Sequence, residues 1–428
     1  MVAEQDAASA IAEHNLAAAL GDLGRGAESA AAARRAIARG GQAPETRLVL
    51  ARALLSQHLL DEAERALNEA LALRPDYPDA LRELAQLIWM RTGDPRLALA
   101  PFEALERRSP LSPRLAALRA GVIRDTSGPQ AAYASLKPWF GAGDAGVALA
   151  ASQAASRFDP ASALVHALEA YRLAPAEPVV ILSLAEAAIG GGDPALGLDL
   201  VERRLSAHPR DGYALALRSL ARRALGAKAQ VSDEIQAAVR TYEVAAPTRF
   251  ADRGEWLASL AARLRSLHAF KAEPLAQSVR GGSQIVLHPG RFSDDPIIAE
   301  TLEAFAVPVN QYLAEVMQSP GVAWALAGAW SVRLDAGGGH NDHVHPEGWV
   351  SSAFYVEVPE SARGEDRRGW LRFGAAQVGP PGQFEPLHWE RPEPGRLALF
   401  PSHLWHGVEP FPGPGERITI AFDVHRAS

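Results

Sequence analysis

The sequence predicts a two-part chain: an all-α solenoid of stacked helix pairs, followed by a double-sheet domain that carries helices on its outside. Two observations predict this. A helical pattern with buried-type alanines and a closing proline recurs through the first half at a spacing of about 34 residues. After residue 280 that pattern gives way to short apolar or alternating runs cut by glycine and proline. A third observation, a cluster of histidines confined to the second half, places the chemistry there.

The repeat is clearest in DEAERALNEALALRPDY, with Ala63, Ala70 and Pro75, and again in PASALVHALEAYRLAPAEP, with Ala163, Ala170 and Pro175. Each stretch has apolar residues at helical spacing, alanines small enough to let two helices touch, and a proline that cannot continue the helix. Equivalent ends fall near Gly41, Pro75, Pro110, residue 144, Pro175 and Pro209, which predicts six units, least regular between 110 and 175. The stretch from 211 to 265 keeps a helical pattern and is expected to close the solenoid with a polar outer face. The expected division is 1–244 for the helical repeats and 245–428 for the sheet domain.

Strands are expected in SQIVLHP, SVRLDAGGG, WVSSAFYVEVP, GWLRFGA, GRLALFPSHLWHGVEPF and ERITIAFDVH, and an outer amphipathic helix in DDPIIAETLEAFAVPVNQYLAEVMQ. Runs of this length bounded by turn residues suit an antiparallel sandwich or barrel.

Composition excludes several classes. Of the 428 residues, 22% are charged and 48% hydrophobic, the balance of a folded globular protein rather than a disordered or membrane one. A net charge of −7 is of the wrong sign to favour nucleic acid or an anionic membrane. There is no cysteine, so disulfides, zinc-thiolate sites and thiol nucleophiles are excluded, and any metal must be held by His, Asp or Glu. Glu4, Asp6 and Glu13 stand where a signal peptide would need a basic start and an apolar run, so a cytoplasmic location is expected.

The chemistry concentrates in HNDHVHPEGWVSSAFYVEV, in His406 of FPSHLWHGVEPF 61 residues after His345, and in Arg417 of GERITIAF. Ligands at i and i+2 on a strand share a face, and a third from a distant strand completes one face of an octahedron, leaving the other open. Two pairs compete for the first two places: His343 with His345, or His340 with Asp342. Their parity is opposite, so on one regular strand only one pair faces the metal. His340 follows Gly337, Gly338 and Gly339 in an expected turn, which favours the first pair. Arg417 is suited to grip a carboxylate bidentately, and its neighbours Ile418 and Ile420 alternate as on a strand with one face turned inward.

From about Pro274 onward the sequence resembles the prolyl-hydroxylase-like branch of the 2-oxoglutarate oxygenases, most closely a bacterial group with an H-x-H motif. The resemblance rests on QSVRGGSQI, the H-x-H-P element at His343, His345 and Pro346, SSAFYV ending near Tyr355, RGWLRF, PGRLALFPS, the H-x-V-x-P turn at His406, and the basic residue of the last strand. It implies a double-stranded β-helix (jelly-roll) fold, with Fe(II) held by His343, His345 and His406 and 2-oxoglutarate anchored by Arg417 with help from Tyr355. It also implies oxidative decarboxylation of 2-oxoglutarate coupled to hydroxylation. Most of the wider superfamily has a carboxylate where His345 stands. The first half, including Ala51 and Ala85, resembles tetratricopeptide repeats.

A repeat array joined to such a domain is similar in plan to aspartyl/asparaginyl hydroxylases and prolyl 3-hydroxylases of animals, which implies a peptide or protein substrate presented by the repeats. Arg280 is a candidate substrate contact. Two rival readings are a cupin-like three-histidine dioxygenase that uses no 2-oxoglutarate, and a non-catalytic repeat adaptor with a metal-stabilised sandwich. His268, His288 and His388 have no such partners and read as ordinary, and Trp349 and Trp405 read as packing. Oligomeric state and native metal are not legible in the sequence.

Overall fold

The computed structural model describes residues 2–427. Its first part is a solenoid of seven helix pairs: α1 (Val2–Asp22) with α2 (Gly26–Ala38), α3 (Pro44–Ser56) with α4 (Leu60–Leu73), α5 (Pro78–Thr92) with α6 (Pro95–Glu106), α7 (Pro113–Ser127) with α8 (Pro129–Leu136), α9 (Ala145–Ala155) with α10 (Pro160–Leu173), α11 (Pro178–Gly190) with α12 (Pro194–Ala207), and α13 (Gly212–Ala224) with α14 (Lys228–Ala238). All six expected repeat ends fall in the loops between pairs, and the seventh pair lies in the stretch after 211. Local chemistry starts these helices. Proline opens eight of them, where its missing N–H costs nothing. Asp144, Asp159, Asp193 and Asp211 each accept a hydrogen bond from the backbone N–H three residues on. Ala51, Ala63, Ala70 and Ala85 are fully buried where helices cross.

The helical pattern does not close the solenoid as far as 265. β1 (Arg240–Glu243) already pairs with a strand of the sheet, ahead of residue 245. α15 (Arg253–Leu267) packs on the sheet, with Trp256 stacked on Phe354 at 5.4 Å and its Nε1 donating to Thr301 Oγ1. β2 (Val279–Val286) follows, and then the expected outer helix appears as two, α16 (Pro296–Ala304) and α17 (Ala306–Glu315). Pro308 lacks the N–H that would have bonded Ala304, which is where the break falls.

The remaining strands are β3 (Trp324–His343), β4 (Val350–Glu357), β5 (Leu371–Phe373), β6 (His388–Glu390), β7 (Arg396–Pro401), β8 (His406–Val408) and β9 (Arg417–Arg426). They form a curled antiparallel sheet in the order β1-β7-β4-β9-β3-β8-β5-β6, with β2 also on β3. This is a jelly-roll arrangement. β3 belongs to both layers: residues 324–334 pair with β9, whereas His340 and His343 pair with β8. The corner between the layers is Gly337–Gly339. Gly337 has φ 81°, and a Cβ on Gly339 would sit 2.6 Å from the Val408 carbonyl oxygen, so the three glycines bend a strand rather than end it.

The first helix of nearly every pair faces the sheet domain. Asp125 on α7 accepts from the Ala276 N–H, Gly190 on α11 lies against Gly379, and Arg223 on α13 donates to the Gly374 and Glu385 carbonyls. Trp405 is buried against α11–α13 and donates through Nε1 to the Ala216 carbonyl. No helix among the described residues is long and apolar enough to cross a membrane.

Because Trp405 joins the two cores, Trp405→Ala is expected to destabilise the whole chain by about 3–5 kcal/mol. Denaturant unfolding followed by both helical circular dichroism and tryptophan fluorescence measures this. Both probes should shift together to lower denaturant.

Candidate metal centre

His343, His345 and His406 come together with one ring nitrogen each inside a 4.8 Å cluster. Ring centroids lie 4.2 Å apart for His343 and His406, 5.0 Å for His343 and His345, and 5.2 Å for His345 and His406. His406 comes from β8 and pairs directly with His343 at the end of β3, so one ladder rung sets two of the three rings. His345 follows two residues later, its backbone N–H bonded to the Ser402 carbonyl.

Each imidazole is oriented by its far nitrogen. His343 Nδ1 donates to the Asn341 carbonyl at 2.9 Å and His406 Nδ1 to the Leu404 carbonyl at 2.9 Å. Both leave Nε2 free of a proton. His345 Nδ1 is 2.6 Å from Asp423 Oδ2, and Ser351 Oγ donates to Asp423 Oδ1 at 2.6 Å, with Ser402 Oγ 2.8 Å behind it. Burial pushes His343 down to about 3, with the neighbouring His345 adding to the effect, and holds His406 well below the ordinary imidazole value. Neutral rings are what a metal ligand requires.

The parity expectation met a bulge. Between His340 and His343 β3 advances three residues while β8, from Val408 to His406, advances two. The extra residue turns His340 onto the same side as His343, their rings 6.0 Å apart, instead of the opposite one. Ser278 Oγ lies between them, 3.1 Å from His340 Nδ1 and 3.2 Å from His343 Nε2. Asp342 is turned away and held by Arg372 through both carboxylate oxygens at 2.7 and 3.0 Å, so His340 and Asp342 do not converge.

These rings line a cavity of about 530 Å³. Arg417 lines it too, from the start of β9, and is 1% exposed, with no carboxylate among the described residues bonded to it. Its Nε and Nη2 are buried without a hydrogen-bond partner, as is the Tyr355 hydroxyl, and the guanidinium stands 5.2 Å from the centre of the Tyr355 ring. Burial lowers Arg417 and raises Tyr355 to about 12. A buried guanidinium with two orphaned nitrogens is costly unless an anion meets it. A dicarboxylate whose keto-acid end reaches the imidazoles fits this donor set. Arg280 does not line the cavity; its Nη1 turns back to the Gln277 and Val279 carbonyls.

Polar residues of the cavity that were not singled out in the sequence include Asp423, Thr419 and Ser278. The signal for two was present. On β9, Arg417, Thr419, Ala421 and Asp423 line the cavity while Ile418, Ile420, Phe422 and Val424 enter the core. Extending the alternation from Arg417 by six residues reaches Asp423.

Residues 328–423 match the family described as "Putative 2OG-Fe(II) oxygenase", and residues 14–78 and 48–113 match the tetratricopeptide repeat family. No curated protein matches the sequence. Among solved structures, a Pseudomonas putida prolyl-4-hydroxylase is 19% identical, covering 47% of this chain and all of that one, with a TM-score of 0.32. A 2OG-Fe(II) oxygenase family oxidoreductase from Burkholderia pseudomallei is 14% identical over 47% of this chain and 91% of its own, with a TM-score of 0.28. YrrB, described as a TPR protein with an unusual peptide-binding site, is 16% identical over 44% of this chain and 97% of its own, with a TM-score of 0.29. The two family matches place tetratricopeptide repeats in the first part of the chain and, over residues 328–423, a domain that matches a 2-oxoglutarate/Fe(II) oxygenase family, whose cofactors are Fe(II) and 2-oxoglutarate.

Asp423→Asn is expected to weaken divalent-metal binding about 10- to 100-fold, because the carboxylate fixes the orientation and tautomer of His345. Titration with Co(II) as a spectroscopic surrogate checks this. Unchanged affinity would remove Asp423 from the site.

Proposed function

We propose that the chain hydroxylates a peptide or protein substrate at the expense of 2-oxoglutarate, with His343, His345 and His406 as the Fe(II) ligands and Arg417 with Tyr355 as the cosubstrate clamp. The observation that carries this is the buried, carboxylate-free Arg417 in the same cavity as the three converging imidazoles. Bound iron and 2-oxoglutarate would supply the oxidising power for an unactivated C–H bond, and oxygen activation would yield succinate and carbon dioxide.

The protein's own contribution is positional. Asn341, Leu404 and Asp423 keep the three Nε2 atoms aimed at one point. Arg417 holds the distal carboxylate by charge-assisted hydrogen bonds, and the Tyr355 hydroxyl adds a donor of matching depth. Ala353, Phe400 and Val408 make the wall behind it apolar, which limits water around the reacting centre. The pairing of β1 with β7 supports a division at the end of α14, a few residues before 245.

The repeats support a polypeptide substrate because such arrays are generally interaction modules. In this chain much of the inner helical face is already committed to the sheet domain, so the substrate would meet the solenoid and the sheet together.

Arg417→Ala is expected to leave metal binding intact and to cost about 2–5 kcal/mol of 2-oxoglutarate affinity. Calorimetric titration under nitrogen reads the affinity, and succinate release in air reads turnover. A dioxygenase that uses no 2-oxoglutarate would be indifferent to the substitution, and the metal-loaded wild-type chain would then form no succinate at any peptide concentration.

A further inference from the structure

A second chamber, of about 500 Å³, lies between the inner helices of the first three repeat pairs and the β2–β3 face of the sheet domain. It shares Gln277, Gln284 and Trp330 with the wall of the metal cavity, so the two spaces adjoin. Trp330 stands at the junction, its ring 6.1 Å from that of His345. Further along the solenoid the inner helices press directly on the sheet domain, at Gly190 with Gly379 and at Ala216 with Trp405. The chamber is where the clasp opens.

Its charged lining is unbalanced. Arg52 and Glu83 pair with each other at 2.6 Å and cancel. Arg291, half-buried, forms no ion pair or side-chain hydrogen bond among the described residues; its guanidinium carbon lies 4.8 Å from the centre of the Phe292 ring. His58 has both ring nitrogens buried and without a partner, and holds φ at 59°, a conformation that non-glycine side chains adopt at a cost. Its ring packs 6.0 Å from Phe270, and burial together with Arg291 lowers its pKa. An arginine lacking an acidic partner beside an imidazole with no hydrogen bonds is a site for an anion, in a chain whose net charge is −7.

We propose that this chamber is a substrate subsite that takes an acidic side chain of the polypeptide, its carboxylate seated between Arg291 and His58 while the reacting residue reaches the metal cavity past Trp330. The proposal rests on the hydroxylase reading above and adds a specificity to it. The carboxylate would accept hydrogen bonds from the guanidinium and from one protonated ring nitrogen of His58. Binding energy gained here is remote from the reacting carbon, so it is available for positioning. A basic residue in the same place would meet Arg291 and be repelled.

Two fluorescent peptide libraries test it, one with a fixed glutamate and otherwise degenerate positions, the other with glutamine in that place. Anisotropy on the full-length chain should show the glutamate library binding about thirtyfold or more tightly, the lower end of what losing one partner of a buried charge pair costs. Arg291→Gln should abolish that preference, and His58→Asn, which tolerates the left-handed backbone, should reduce it. Folding of both variants is checked by thermal melts, and the second keeps the test decisive should the first not fold. Equal binding of the libraries to the wild-type chain, or a preference unchanged in the folded variants, overturns the subsite. If the metal-loaded wild-type chain does release succinate, the oxygenase reading stands without it; if it releases none, both fall.

Discussion

The path of β3 through its glycine corner governs the site. One strand leaves the pairing with β9, turns at Gly337–Gly339 and enters the pairing with β8, carrying His343 to a position directly across from His406. The bulge before His343 adds a residue on one side of that ladder. Without it His343 would exchange faces with its neighbours, and the rung that joins two imidazoles would be lost. The remaining features of the site are arranged around this geometry. His345 is placed by its backbone bond to Ser402 and its ring bond to Asp423, and Arg417 is opposite Leu334 on the stretch of β3 just before the corner.

A three-imidazole site carries less negative charge than one with a carboxylate ligand. Here a carboxylate stands one bond further out. Asp423 hydrogen-bonds His345 at 2.6 Å and is itself held by Ser351, so its charge would reach a metal held by these rings through the imidazole. The helical half contributes by burial and enclosure. Asp125 on α7 fixes Ala276, at the start of a segment that lines the metal cavity, and Trp405 inserts from beside His406 into the solenoid. An array that could have offered its inner face to a free peptide instead spends much of it on its own chain.

The helix pairs were legible because prolines and alanines recur at a fixed step, and the strands because their period is two. The six repeat ends predicted from Gly41 to Pro209 all fall between pairs. The histidines were legible as a cluster, since few positions in the chain bring so many together. What escaped was anything that depended on irregularity. The Gly337–Gly339 run read as a turn because glycines usually mark one, whereas here close approach to the Val408 carbonyl requires them inside a continuing strand. Parity could not place His340, because a bulge has no signature in the pattern of side chains. α15 keeps a helical period yet packs on the sheet, which periodicity cannot distinguish from packing on another helix. Asp423 lay on a readable alternation from Arg417 but beyond the point to which it was followed.

The central claim, that the bulged end of β3 delivers His343 rather than His340 to the metal, is tested most directly by metal stoichiometry. Full-length His340→Ala and His343→Ala, each shown to be folded, would be loaded anaerobically with Fe(II), desalted and measured by elemental analysis beside the wild-type chain. The account predicts close to one ion per chain for the wild type and for His340→Ala, and near none for His343→Ala. Loss of the ion from His340→Ala with retention by His343→Ala would contradict it.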